Sequence, residues 1–256
     1  MKAHGVVSAD SHVTEPADLW VERLDRRYRD RSPKVVPNPD TKAGGYLFVA
    51  ETAAPMFVGG VVSAGASGAE LAEAMKKGLE SARPSGWDPI LRIADQELDG
   101  IDAEVLYPSL AMTLFTMTDA ELQRACFSAY NGWVAEFCSH NPQRLYGIGL
   151  ISLEDVAIAV ADLENISKLG MRGAMIWGSP PEDRPYDDPA YDRFWRAAEE
   201  HRLPVSLHVA TGRGIHSARI RDALGKWGSR SVNAGVLYMG LIHEIQESLS
   251  TLIFGG

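Results

Sequence analysis

The stretch "VVSADSHVTEP", residues 6–16, decides between two ways of building an α/β domain. Its apolar run reads as a first strand, Gly5 to Ala9, that breaks off at Asp10, Ser11 and His12, with Glu15 close behind. An open doubly wound sheet places a glycine-rich phosphate loop after its first strand. Here the strand is followed by Asp-Ser-His, which cradles no phosphate, so the choice moves toward a TIM-type (β/α)8 barrel.

The rest of the chain alternates in the same rhythm. Glu104 to Tyr107 reads as a second strand closing on Pro108. "TDAELQRACFSAYNGWVAEFCSHNP" (118–142) then carries Leu122, Cys126, Ala129, Trp133 and Phe137 at helical steps of three and four. Thr118 and Glu121 have capping-box spacing at its start, and Pro142 lies past its end. Further strands are expected at Leu145–Ile151, Arg172–Trp177 and Leu203–His208. Helices between them begin after Asp155 and at Asp188-Pro189, the latter in the favoured cap-then-proline order. Near-continuous apolar strands separated by helices imply right-handed βαβ units with both sheet faces covered. Five βα units can be counted before the chain reaches Gly256.

One domain spanning 1–256 is expected, interrupted at about 31–88. That segment holds Pro33, Pro37, Pro39, two glycine pairs and one short helix near 69–82, and reads as an insertion over the barrel mouth. Residues 209–230 form a loop rich in glycine and arginine, followed by a helix from about Val232 to Leu249.

Composition narrows the partners. A net charge of −9, from 25 basic and 34 acidic residues, offers neither nucleic acid nor an anionic membrane the basic patch each requires. No run approaches the roughly 20 apolar residues of a membrane span. The N-terminus leads into a strand without a signal-like apolar region, and Cys126 and Cys138 form no CxxC motif. A reduced, cytoplasmic protein acting on a small molecule is the expectation.

In a strand, residues two apart face the same side, so Asp10 and His12 can aim at one point. Barrel active sites sit at the C-terminal strand ends, where His208 closes the fifth strand. One carboxylate and two imidazoles suit a divalent Zn²⁺, Mn²⁺ or Fe²⁺. The plainer reading is that Asp10 caps a turn and His208 is a hydrogen-bonded core histidine. Tyr107 and Trp177 end the second and fourth strands and are candidates for lining the mouth; either also suits the core. Arg213 and His216, in the loop after His208, could reach a substrate carboxylate. His243-Glu244 fails as a zincin motif because position 247 is Glu. His140 and His201 fall at helix C-termini, where the dipole accounts for them. Glu15 reads either as a negative charge at the start of a helix beginning near Pro16, which is the preferred reading, or as a carboxylate standing behind the metal ligands.

Taken together, "VVSADSHVTEPADLWVERL" (6–24), "LDGIDAEVLYPSLAMTLF" (98–115), "AYNGWVAEFCSHNPQRLYGIGLISLED" (129–155), "PPEDRPYDDPAYDRFWRAAEEHRLPVSLHVATG" (180–212) and the final "LIFGG" resemble the amidohydrolase-2 group of the metal-dependent amidohydrolases. That group includes the aminocarboxymuconate semialdehyde decarboxylase-like enzymes. The resemblance implies a distorted barrel with one divalent metal, zinc foremost. Asp10-x-His12 takes the place of the family's usual His-x-His, and His208 matches its fifth-strand ligand. It implies a hydrolase or nonoxidative decarboxylase of a small carboxylated or cyclic substrate. The family's last ligand, an aspartate after strand eight, and a catalytic histidine after strand six are expected beyond Gly256, as in a C-terminally truncated barrel. A different class also fits five strands: an inactive scaffold whose sheet closes against a partner, most simply as a homodimer.

Overall fold

The computed structural model describes residues 5–40, 42, 44–214, 217–219 and 234–255. Its centre is a curled five-stranded parallel sheet of β1 (Val7–His12), β5 (Ala103–Tyr107), β6 (Leu145–Leu150), β7 (Gly173–Ile176) and β8 (Val205–Leu207), side by side in that order. Strands β2 (Lys34–Pro37), β3 (Tyr46–Val49) and β4 (Met56–Phe57) form a separate antiparallel sheet within the 31–88 insertion. The helices are α1 (Leu19–Arg23), α2 (Gly59–Val62), α3 (Gly68–Lys77), α4 (Pro89–Asp99), α5 (Ala120–Ser139), α6 (Val156–Lys168), α7 (Asp192–Glu200) and α8 (Ala234–Phe254).

The curl follows from two side chains. Tyr107 at the end of β5 reaches Ser206 of β8, Oη to Oγ 2.8 Å. These strands are three positions apart, which in a flat sheet would be roughly 14 Å at about 4.8 Å per step. A bond across that gap requires the strands to bend around a common interior, as in the first part of a (β/α)8 barrel.

The fully apolar β7 and nearly apolar β6 are buried because helices cover their outer face. Helix α5 buries Leu122, Cys126, Ala129, Trp133 and Phe137, the stripe expected from their spacing. The insertion shares the same core: Phe48 of β3 is fully buried, its ring 5.1 Å from that of Trp20 on α1. Burying one such aromatic side chain contributes about 1.5–3 kcal/mol. Trp20 Nε1 in turn donates to the Cys126 carbonyl of α5 at 3.2 Å, tying insertion, α1 and α5 together.

Several local expectations change. Strand β1 extends three residues past Ala9, because pairing with β5 continues through Ser11–Leu106 and His12–Tyr107. The ladder shifts between Ser8 and Ser11, so the side chains there do not alternate regularly. The cap of α5 is Asp119, whose carboxylate accepts from the Leu122 amide, while the Thr118 amide donates to Thr52 Oγ1. Asp188-Pro189 opens a 3-10 turn, Pro189–Tyr191, that runs on into α7. The expected helix near 69–82 is α3 followed by a 3-10 turn, Gly78–Ser81. Val232, the expected start of the last helix, lies outside the described residues. Helix α4 and the insertion's sheet were not anticipated. Yet Asp88-Pro89 and Gly100, the cap and stop of α4, stand in the sequence.

Candidate metal centre

At the C-terminal end of the curled sheet three donors converge. Asp10 Oδ1 lies 3.5 Å from His12 Nε2 and 3.5 Å from His208 Nε2, and the three ligand atoms all lie within 4.8 Å of one another. Tetrahedral bonds of about 2.1 Å to a metal separate neighbouring ligand atoms by about 3.4 Å. The donor set therefore fits a single divalent ion in both chemistry and spacing.

Both imidazoles are held by their other nitrogen. His12 Nδ1 lies 2.7 Å from the Pro108 carbonyl oxygen and His208 Nδ1 2.9 Å from that of Val209. A carbonyl only accepts, so each Nδ1 carries a proton, and each Nε2 is left facing the Asp10 carboxylate. Burial lowers the pKa of His12; the Pro108 bond works in the opposite direction, and the nearby His208 adds to the lowering. The net lowering favours the neutral ring, the form a metal requires.

The backbone beneath these ligands is fastened from several sides. Arg92 of α4 donates from Nη1 to the His12 carbonyl at 2.9 Å and grips Glu104 of β5 through Nε and Nη2, at 2.7 and 2.9 Å. Gln96 adds a bond to Glu104 at 2.6 Å. Burial alone would raise the Glu104 pKa, but the bonds and charge of Arg92, with Gln96 and Ser11, hold it below the usual range. On the other side, Gly178 after β7 passes so close to the His208 carbonyl that a Cβ there would overlap it. Thr211 Oγ1 bridges them, donating to the His208 carbonyl and accepting from the Gly178 amide, both at 2.7 Å.

A cavity of about 470 Å³ opens beside His12 and His208. Thr14, Arg83, Ser85 and Arg92 give it a polar wall; Val61, Val62 and Ala64 of the insertion, with Met112, give an apolar one.

The other candidate residues separate. Tyr107 stands beside the two histidines, its ring centroid 5.4 Å from that of His208 and 6.1 Å from that of His12, with its hydroxyl bonded to Ser206. Trp177 does not line the cavity: it is fully buried in the core, because Arg213 covers its ring at 5.3 Å and Tyr186 packs behind it, donating to its carbonyl. Arg213 is likewise turned away from the cavity. Its guanidinium is taken by Glu154 Oε1 at 2.6 Å and the Met117 carbonyl at 3.1 Å. His216 lies outside the described residues. Glu15 does not serve the helix near Pro16, whose N-cap is Asp18. It is fully buried and accepts from the amides of Ser109, Leu110 and Ala111. Burial raises its pKa against the lowering effect of those amides. The Arg92–Glu104 pair joins α4 to β5 across 12 residues and carries no local sequence signal.

The amidohydrolase family model (Amidohydro_2) matches residues 82–235, more than half of the chain. The chain belongs to the amidohydrolase family. Solved amidohydrolase-type structures share its fold. An amidohydrolase from Mycobacterium avium subsp. paratuberculosis K-10 superposes with a TM-score of 0.67 at 19% identity, covering 100% of this chain and 70% of that one. A 5-carboxyvanillate decarboxylase from Novosphingobium aromaticivorans, crystallised with bound manganese, gives 0.57 at 18%, covering 97% and 61%. A 2,6-dihydroxybenzoate decarboxylase from Rhizobium gives 0.53 at 18%, covering 96% and 62%. The chain thus spans under two thirds of the length of either decarboxylase. No curated protein sequence matches it. Among the described residues no helix is long and apolar enough to cross a membrane.

Proposed function

We propose that the chain is the metal-binding part of an amidohydrolase-family enzyme that decarboxylates, or alternatively hydrolyses, a small carboxylated cyclic compound. The observation carrying this reading is the convergence of Asp10, His12 and His208, with both Nε2 atoms turned toward Asp10 Oδ1. It also favours an enzyme over an inactive scaffold, since a scaffold has no use for two imidazoles converging on one carboxylate.

The bound ion, zinc, manganese or iron, would polarise a substrate oxygen or acidify a water molecule. Manganese gains support from the solved decarboxylase that holds it. The protein's own contribution is to hold and to exclude. Arg92 and Pro108 fix His12 from its backbone and its ring, and Gly178 and Thr211 fix His208. Val61, Val62, Ala64 and Met112 shield one side of the cavity from water, which supports the reading of 31–88 as a cover for the mouth. Arg83 stands at the rim with its guanidinium held by Asp95 through Nε and Nη2, at 3.1 and 2.8 Å, so the pair adds polarity to the wall without a free positive charge. The cavity volume suits a single-ring compound. Decarboxylation is preferred because two of the similar folds act on hydroxylated aromatic acids. Two free, buried thiols support a reducing, cytoplasmic location.

Assay of the metal-loaded protein against a panel of hydroxylated aromatic carboxylates and of cyclic amides and esters separates the reactions. CO₂ release supports the preferred reading, hydrolysis supports the alternative, and neither contradicts both.

A further inference from the structure

We propose that Glu15 is a positioning residue for His12, acting through a single peptide group. The peptide unit joining Pro108 to Ser109 is held at both ends. Its carbonyl oxygen lies 2.7 Å from His12 Nδ1, and its N–H donates to Glu15 Oε2 at 3.3 Å. Rotating that peptide plane away from Glu15 would carry the carbonyl away from the imidazole.

The grip of Glu15 extends beyond this one bond. Its Oε2 also accepts from the Leu110 amide and its Oε1 from the Ala111 amide, each at 2.9 Å. Three consecutive N–H groups converging on one carboxylate form an anion-holding nest. Ser109 Oγ donates back to the Val13 carbonyl at 2.7 Å, and the Val13 amide donates to the Tyr107 carbonyl at 2.9 Å. His12, Val13 and Glu15 are therefore each bonded to the 107–111 segment. A group fully removed from water strengthens each of these bonds, and a peptide whose N–H faces a carboxylate has a more basic carbonyl. That carbonyl keeps the His12 proton on Nδ1.

A plain helix cap would account for the bonds to Leu110 and Ala111, at the start of the 3-10 turn Ala111–Thr116. It would not require the link to the 108–109 peptide, which is where the positioning role lies. Glutamine is the informative substitution. It keeps the shape of the side chain but sets an NH₂ group against at least one of the three backbone donors, which turns the loop.

The test reads the His12 ring in metal-free protein labelled with ¹⁵N-histidine, with the signal assigned by its loss in His12→Gln. In the unmodified chain the Nδ1–H tautomer is expected to dominate at alkaline pH; an Nε2–H ring there overturns the proposal whatever the variants do. In Glu15→Gln, with near-UV circular dichroism confirming the fold, a mixture of tautomers is expected. An unchanged Nδ1–H signal would overturn the proposal. Should Glu15→Gln not fold, Glu15→Asp keeps the charge one methylene short and is read in the same way.

Manganese titration supplies a second readout, which rests on the proposed metal site. Glu15→Gln should bind about 10-fold or more weakly. If the unmodified chain takes up no manganese, the metal reading fails while the tautomer result still decides the role of Glu15.

Discussion

His208 Nε2 lies 3.5 Å from Asp10 Oδ1, although Asp10 stands on one outermost strand of the five-stranded sheet and His208 directly follows the other. Four strand steps separate β1 from β8, which in a flat sheet would amount to roughly 19 Å. The curl that closes this distance also creates the site, because it turns the C-terminal ends of edge strands toward one another. Shape and chemistry are thus consequences of one feature.

Gly178, just after β7, lies tightly against the chain that follows β8. A Cβ there would overlap the His208 carbonyl and come within 2.6 Å of Ile245 Cδ1. Gly178→Ala is expected to cost about 1–3 kcal/mol in denaturant-induced unfolding, as overpacking does. It should also weaken metal binding by displacing His208. Parent-like stability together with parent-like binding would mean that β7 and β8 do not approach so closely.

The Arg92–Glu104 pair ties α4 and β5 to the His12 backbone, with side chains only 12% and 7% exposed. Glu104→Ala leaves a buried guanidinium without its partner and should cost about 3–5 kcal/mol. The folded pKa of Glu104 is depressed, so its stabilisation is present above the ordinary carboxylate value near 4.5 and is lost as pH falls through the lower folded value. Unfolding measured across that acid range should therefore show a shallower loss of stability in Glu104→Gln than in the parent.

Arg213 separates a structural cation from a substrate-binding one. With its guanidinium on Glu154 and over Trp177, Arg213→Ala should lower stability by about 1–3 kcal/mol and leave metal affinity and substrate KM unchanged. A large rise in KM with unchanged stability would place Arg213 in the cavity after all.

Protons should compete with the metal at His12. Its folded pKa is lowered, chiefly by burial, so the ring stays neutral to a more acidic pH than an ordinary histidine near 6.5. Metal retention followed by equilibrium dialysis should hold at neutral pH and fall only below that value, where the imidazole takes up a proton. Retention that begins to fail well above 6.5 would contradict this assignment.

The sequence disclosed the fold through its alternation of apolar runs and amphipathic helices, and disclosed Asp10, His12 and His208 through their places at strand ends. What it concealed depends on distant contacts. Glu15 reads locally as the start of a helix, yet its partners lie some 95 residues away. Trp177 and Arg213 occupy positions that suit a mouth, and only packing against Tyr186 and Glu154 shows otherwise. Helix α4 is different, since Asp88-Pro89 and Gly100 marked its ends. The preceding irregular segment drew attention away from it, and with it went Arg92.

Asp10, His12 and His208 are proposed to bind one divalent ion together. Metal analysis of the purified chain after loading with zinc or manganese, run beside folded Asp10→Ala, His12→Ala and His208→Ala, is the decisive measurement. About one equivalent is expected in the parent, with a marked loss in each variant. A parent chain without bound metal, or variants that keep as much as the parent, would contradict it.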